Sequence, residues 1–257
     1  MLNHLTLHYA RSIVSIFRLS ISSFQDVRKR EIDDRVWIAF IVAAVLINVA
    51  GVLTGLVEPA GWLVFAGLQS ALFILLYYAG AFGGADAKSL ICLSIMYPTC
   101  LAEFLTELSV GRLTVPLSAF NNAIILTLVF PVFNLLWNFS MKLRGVELFK
   151  GLEEEGLHRK IAAIFLLMKI RFSHYCSNSF RFALAEKYSR SGVKRIVFTK
   201  TLGEDFSSRI KDEEYVFTSF LIPLQVFILL GLTVRLVYGD ILLLLTLMIV
   251  KLLIKGF

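Results

Sequence analysis

The sequence predicts a mainly α-helical, polytopic membrane protein with six transmembrane helices and a small α+β cytosolic insert. Three observations predict it. Of the 257 residues, 57% are hydrophobic and 18% charged, with a mean hydropathy of +0.75, against a roughly 45–50% apolar share in ordinary soluble domains. The apolar residues gather into windows close to the about 20 residues that cross a bilayer. The basic residues concentrate in two segments between those windows, as cytoplasmic loops do.

Apolar windows run over residues 36–57, 62–82, 87–108, 115–141 and 216–237, and each is read as a span. Residues 2–25 are read as a further, first span although they hold His4, His8, Arg11 and Arg18. Those residues, with Ser15, Ser22 and Asp26, recur at steps of four or three and stack on one helix face. A signal peptide would need an uninterrupted apolar core and a small-residue cleavage site, and this segment has neither. The alternative for it is an amphipathic helix lying on the membrane.

Arg28, Lys29, Arg30 and Arg35 separate the first two spans, and residues 142–215 carry most of the remaining Lys and Arg. Both segments are expected in the cytoplasm, which puts the N-terminus outside and residues 58–61 and 109–112 in outer turns. The expected organisation is 1–141 as five spans, 142–215 as a soluble insert, and 216–257 as the last span with a short interfacial helix. Within the insert a helical pattern covers about 153–168 and a strand candidate covers 195–199. The net charge of +7 follows from this topology without a nucleic-acid partner. Cys92, Cys100 and Cys176 are too scattered for a zinc ribbon or a disulfide framework.

The stretch Gly80-Ala81-Phe82-Gly83-Gly84-Ala85-Asp86 places a carboxylate where the fourth span enters from the cytoplasm, and Asp26 sits where the first span leaves on the same side. A carboxylate at the edge of hydrocarbon is costly and marks a functional candidate. Gly83 and Gly84 would let backbone and substrate approach closely there. A plainer reading makes Asp86 a helix N-cap after a glycine turn. Asp33 and Asp34 read as N-caps of the second span, Lys88 as a snorkelling interfacial cation, and Pro98 and Pro223 as kinks. His174 and Cys176 alone make a weak metal signal. Helix rise brings Arg11 and Glu103 to nearly one depth if Asp26 and Asp86 meet, so an Arg11–Glu103 ion pair is expected.

Two carboxyl groups can share one proton, because two negative charges a few ångströms apart cannot both ionise cheaply. The neutral acid donates to a peptide carbonyl while the ionised one takes a proton from attacking water. That chemistry needs no metal and no organic cofactor. The sequence has no Walker loop, no H-E-x-x-H and no G-x-S-x-G.

Asp26-Val27-Arg28-Lys29-Arg30-Glu31-Ile32 resembles the D-x-[RK]-x-[RK]-[EK]-I signature of type IV prepilin peptidases, and Gly83-Gly84-Ala85-Asp86 is similar to their G-x-G-D motif. Ala85 replaces the motif's second glycine. The archaeal prepilin and preflagellin peptidase branch resembles the chain best. The resemblance implies a six-span intramembrane aspartic protease with catalytic Asp26 and Asp86, supported by Gly83, Gly84 and Ala85. The implied substrates are prepilin or preflagellin signal peptides, cut at the cytosolic face of the cell membrane. The paired C-x-x-C motifs of bacterial members are missing, so no methyltransferase half is expected. Presenilin-like proteases pair the motif with a Y-D in the preceding span, which this chain lacks. A proton-coupled transporter with buried acids would be expected to show repeated halves.

Overall fold

The computed structural model describes residues 3–99, 105, 113–188, 193–198 and 213–255. In chain order these form α1 (His4–Lys29), α2 (Asp34–Leu53), α3 (Pro59–Tyr78), α4 (Gly84–Met96), α5 (Val115–Thr127), α6 (Val129–Leu143), α7 (Leu157–Leu166), β1 (Met168–Arg171), α8 (Phe172–Ser177), β2 (Phe182–Leu184), β3 (Glu186–Tyr188), β4 (Lys194–Ile196), β5 (Tyr215–Phe220), α9 (Leu224–Val237) and α10 (Ile241–Lys255). The chain divides into two compact units, Met1–Leu126 with Pro223–Phe257, and Thr127–Ile222.

Among the described residues three helical stretches are long and apolar enough to cross a membrane: Asp34–Leu53, Pro59–Tyr78 and Val115–Leu143. The pair Leu224–Val237 and Ile241–Leu253, bent by 60°, makes a fourth if counted as one broken span. The protein is therefore mostly helical with small sheets and three or four candidate spans.

In the first unit, α1 has its polarity inverted relative to a helix of a soluble bundle, while its neighbours add an apolar core. Along α1, Leu5, Tyr9, Ile13, Phe17 and Phe24 are exposed, whereas Ser15, Arg18 and Ser22 are buried. Apolar side chains gain nothing by leaving hydrocarbon, so in a bilayer the polar stripe turns inward to find partners. The Arg18 guanidinium lies 4.1 Å from the Trp37 ring centroid, a cation–π contact. Arg11 donates from Nε and Nη2 to Asn48 Oδ1 at 3.0 and 2.8 Å. Its expected partner, Glu103, lies outside the described residues.

Two prolines break helices where the apolar windows ran on. The window 87–108 begins in α4, but that helix ends at Met96, two residues before Pro98, because proline disfavours α geometry in the residue before it. The freed carbonyls are capped from neighbouring helices: Asn48 Nδ2 donates to Ile95 and Met96 at 2.8 and 3.2 Å, and Trp62 Nε1 to Ile95 at 2.9 Å. Similarly, residues 216–220 of the last window form β5, and α9 starts only after Pro223. The alternation of Val216, Phe217 and Thr218 suits a strand covered on both faces, and all three are buried.

Helices α5 and α9 approach so closely that a Cβ built on Gly231 would stand 2.2 Å from the Ala119 carbonyl oxygen and 2.8 Å from the Ala123 nitrogen. Small residues allow such backbone approach. Gly231→Ala must push the helices apart, and overpacking of this kind costs about 1–3 kcal/mol. A lowered melting temperature in detergent, measured beside wild type, is the expected outcome. Past α9 the bend is fixed by side chains. Asp240 caps α10 by accepting from Leu243 N at 3.0 Å, and Asn122 joins the two helices by donating to Gly239 at 2.9 Å and accepting from Ile241 N at 2.9 Å.

In the second unit, β1, β5 and β2 form an antiparallel sheet in the order β1-β5-β2, with Met168 opposite Thr218 and Phe182 opposite Phe220. β3 and β4 form a separate antiparallel pair. The strand candidate at 195–199 is thus found as Lys194–Ile196, with residue 199 outside the described set. The helical pattern near 153–168 condenses to α7, whose last carbonyls are held by Asn138 Nδ2 at Ile164 and Leu167 (2.9 and 2.7 Å). An ionic cluster lies beside this sheet, with Lys169, Glu186 and Lys194 buried and Glu213 partly exposed. Lys169 Nζ meets Glu186 Oε1 at 2.9 Å, Lys194 Nζ meets Glu186 Oε2 at 2.8 Å, and Lys194 Nζ reaches Glu213 Oε1 at 3.0 Å.

Candidate active site

The site lies in the first unit, where the C-terminal end of α1, the N-terminus of α4 and the N-terminus of α9 converge. Asp26 occupies the last turn of α1. The helix stops at Arg30, which adopts left-handed geometry at φ 59, uncommon for a residue with a side chain. That stop folds Arg30 back over its own helix end. Its N–H donates to the Asp26 carbonyl at 3.0 Å, and its guanidinium stands 3.7 Å from the Asp26 carboxylate.

Asp86 is the third residue of α4, after the N-cap Gly83. Its N–H donates to the Gly83 carbonyl at 3.1 Å. Asp86 is therefore not the N-cap that the plainer reading made it, because the glycine turn itself places Gly83 there; as a carboxylate in the first turn it still complements the positive end of the helix dipole. Gly83 and Gly84 have ordinary room for a Cβ, whose nearest neighbours would be Asp86 Oδ2 at 3.4 Å and Tyr77 at 3.6 Å. The glycine of this loop with a backbone only glycine favours is Gly80, at φ +77. Ala85 sits inside α4 with negative φ, so its methyl group is accommodated without strain.

The two acids meet around a residue that sequence reasoning missed. Gln225 Nε2 donates to Asp86 Oδ1 at 2.9 Å. Its main-chain N–H lies beside Asp26, and Asp26 is near enough to Asp86 for their charges to interact. The other end of the same carboxamide, Oε1, accepts from Ser89 Oγ at 2.5 Å and from Ser22 Oγ at 3.2 Å. Gln225 is fully buried. Its main-chain N–H is free for Asp26 because it belongs to the first turn of a helix, which has no intrahelical acceptors. The available signal was the run Pro223-Leu224-Gln225, a polar residue just after a helix-breaking proline in an otherwise apolar segment.

The remaining singled-out residues have other roles. Asp33 is the N-cap of α2 and accepts from Arg35 N at 2.9 Å. Asp34 is instead the first helical residue, and it pairs with Lys88 at 2.8 Å on the exposed surface. His174 and Cys176 lie on the short helix α8 of the second unit, and His174 packs edge-on against Phe182.

Asp26 and Asp86 thus lie about one buried amide, in a unit that holds helices long and apolar enough to cross a membrane. Residues 13–132, a little under half of the chain, match the family model of the type IV leader peptidase family, and this stretch contains Asp26, Gly83, Gly84, Ala85 and Asp86. Gln225 lies beyond the matched stretch. The search of curated proteins gave no match.

Proposed function

We propose that the protein is a membrane-embedded aspartic endopeptidase that removes the short basic leader from archaeal prepilins or preflagellins at the cytosolic face. The observation that carries this reading is the convergence of Asp26 and Asp86 on Gln225, with Asp26 close enough to act electrostatically on Asp86. One carboxyl holds the shared proton and hydrogen-bonds the scissile carbonyl. The other, ionised, takes a proton from water as its oxygen attacks the carbonyl carbon. Collapse of the resulting diol breaks the C–N bond, and the departing nitrogen takes a proton from the acid pair. No metal or organic cofactor enters these steps.

In this reading six spans cross the membrane, with α1 and α4 among them, the N-terminus outside and residues 142–215 in the cytosol. The basic run Arg28–Lys29–Arg30 supports the inward orientation of the α1 end. Incubation of the purified protein in nanodiscs with leader peptides joined to their apolar stems tests the activity: a single cut at the leader junction is expected, unaffected by EDTA or thiol-blocking reagents. Inhibition by EDTA that zinc reverses would overturn the mechanism. Topology has its own test, with single cysteines in a cysteine-free background. Positions 29 and 150, both exposed in the folded chain, should resist an impermeant maleimide in intact cells and label once the membrane is permeabilised, whereas position 58 should label in intact cells. Labelling of position 150 from outside would reverse the orientation.

A further inference from the structure

Gln225 donates a hydrogen bond to Asp86 and also lies against Asp26, through two different groups. Its main chain serves Asp26 and its side chain serves Asp86. The carboxamide has one orientation that satisfies its surroundings. An ionised Asp86 only accepts hydrogen bonds, so the NH2 end must face it, and Oε1 is left for the Ser22 and Ser89 hydroxyls. Those two hydroxyls come from α1 and α4, the same helices that carry the acids. One residue on α9 therefore ties together the helix ends on which the acid pair depends. Gln225 cannot ionise, so it fills this place without adding a third charge to the cluster.

Accordingly, we propose that Gln225 is the positioning residue of the acid pair: it sets the separation of Asp26 and Asp86 and holds Asp86 Oδ1 as a hydrogen-bond acceptor, in its ionised form. The inference rests on the aspartic-peptidase reading. It also gives the break at Pro223 a purpose. A helix continuing upstream would consume the Gln225 N–H in an intrahelical bond, and starting α9 at Leu224 leaves it free for Asp26. A donor to the charged form of a carboxyl group favours that form. Loss of the amide should therefore make Asp86 harder to ionise, with Asp26 and Arg30, the charged groups facing it, left in place.

The experiment compares wild type with Gln225→Met, which has similar length and no donor, and with the double variant Ser22→Ala/Ser89→Ala, which keeps the amide but frees its orientation. Cleavage of a leader–stem peptide is followed across pH. For Gln225→Met, kcat should fall about 10–100-fold, since a misplacement of reacting groups by about 1 Å can cost on the order of 10²-fold. KM should stay within about threefold, and the acidic limb of the kcat profile should move toward neutral pH. The double variant should show the same direction with smaller size. Equal losses that track the folded fraction, with an unmoved pH profile, would reduce Gln225 to a packing role and overturn the assignment. A second measurement needs no substrate. Infrared titration of the protonated-carboxyl band that Asp86→Asn removes should show that band persisting to higher pH in Gln225→Met. A superimposable titration would overturn the proposal whatever the activity data show. Absence of cleavage by wild type, with the band shifted as expected, would instead overturn the peptidase reading and leave the Gln225–Asp86 coupling standing.

Discussion

Asp26→Asn and Asp86→Asn should each remove at least about 99% of leader cleavage, at unchanged expression and melting temperature. General acid–base groups contribute roughly 10²- to 10⁴-fold each, and in the proposed mechanism the two are inseparable, since its active state is one proton shared between two carboxyls. Asparagine keeps the size and the acceptor oxygen, so at position 86 it can still receive the Gln225 Nε2 hydrogen bond. At position 26 it can still face the Gln225 main-chain N–H. What it cannot do is exchange a proton. The measurement is single-turnover cleavage of a leader–stem peptide, with thermal unfolding as control. Activity above a few per cent in either variant would remove that residue from the mechanism, and full activity in both would remove the acid pair altogether.

The largest effect on stability should come from Glu186→Leu, in the second unit. Glu186 stands between Lys169 and Lys194, and all three are at most 3% exposed. Glu186 Oε1 also accepts the Phe217 N–H at 2.8 Å. Removing it leaves a buried amide unmatched and takes from Lys169 the one carboxylate with which it forms an ion pair among the described residues, whereas Lys194 keeps Glu213. Breaking a buried ion pair from one side costs about 3–5 kcal/mol, while replacing the whole group by apolar residues of similar volume is often neutral. The triple variant Lys169→Met/Glu186→Leu/Lys194→Met should therefore recover much of the loss. Burial already pulls the Lys169 ammonium below its ordinary value even with Glu186 beside it. Burial works the same way on Lys194, but Glu186 and Glu213 outweigh it and hold that lysine above its ordinary value. Chemical denaturation of the full chain in detergent, with a probe in residues 127–222, reads the difference. Additive losses in the triple variant would show that the charges do not act as a unit.

The same cluster sets a pH dependence. Burial tends to raise Glu213, but the Lys194 hydrogen bond and charge outweigh it and hold Glu213 below its ordinary carboxylate value. A depressed carboxyl contributes stability at pH values above the ordinary carboxylate range, and loses it as pH falls through the depressed value. The second unit should thus loosen on acidification toward the lower end of the carboxylate range.

Much of the site was legible in the sequence because membrane solvent makes polar residues conspicuous. Asp26 and Asp86 stand out in apolar surroundings, and the polar period of α1 could be read directly from His4, Arg11, Ser15, Arg18 and Ser22. Helix periodicity is local, and so is the cost of putting a charge in hydrocarbon; both can be judged from a single segment. The ends of elements were less legible. Hydropathy carried the last window back to residue 216, whereas the strand pairing of Val216 with Ile170 and the stop at Pro223 were needed to shorten it. A strand buried on both faces and a membrane helix present the same apolar run to a local reading.

What the sequence by itself determined was the solvent of the fold, the helical class and the two acids. The tertiary structure decided what holds those acids. Gln225 lies 139 residues from Asp86 along the chain, and no period or motif relates them. Hydrogen bonds have a reach of about 3 Å, and only the packing of α1, α4 and α9 brings an amide from one end of the sequence within that distance of carboxyl groups from the other.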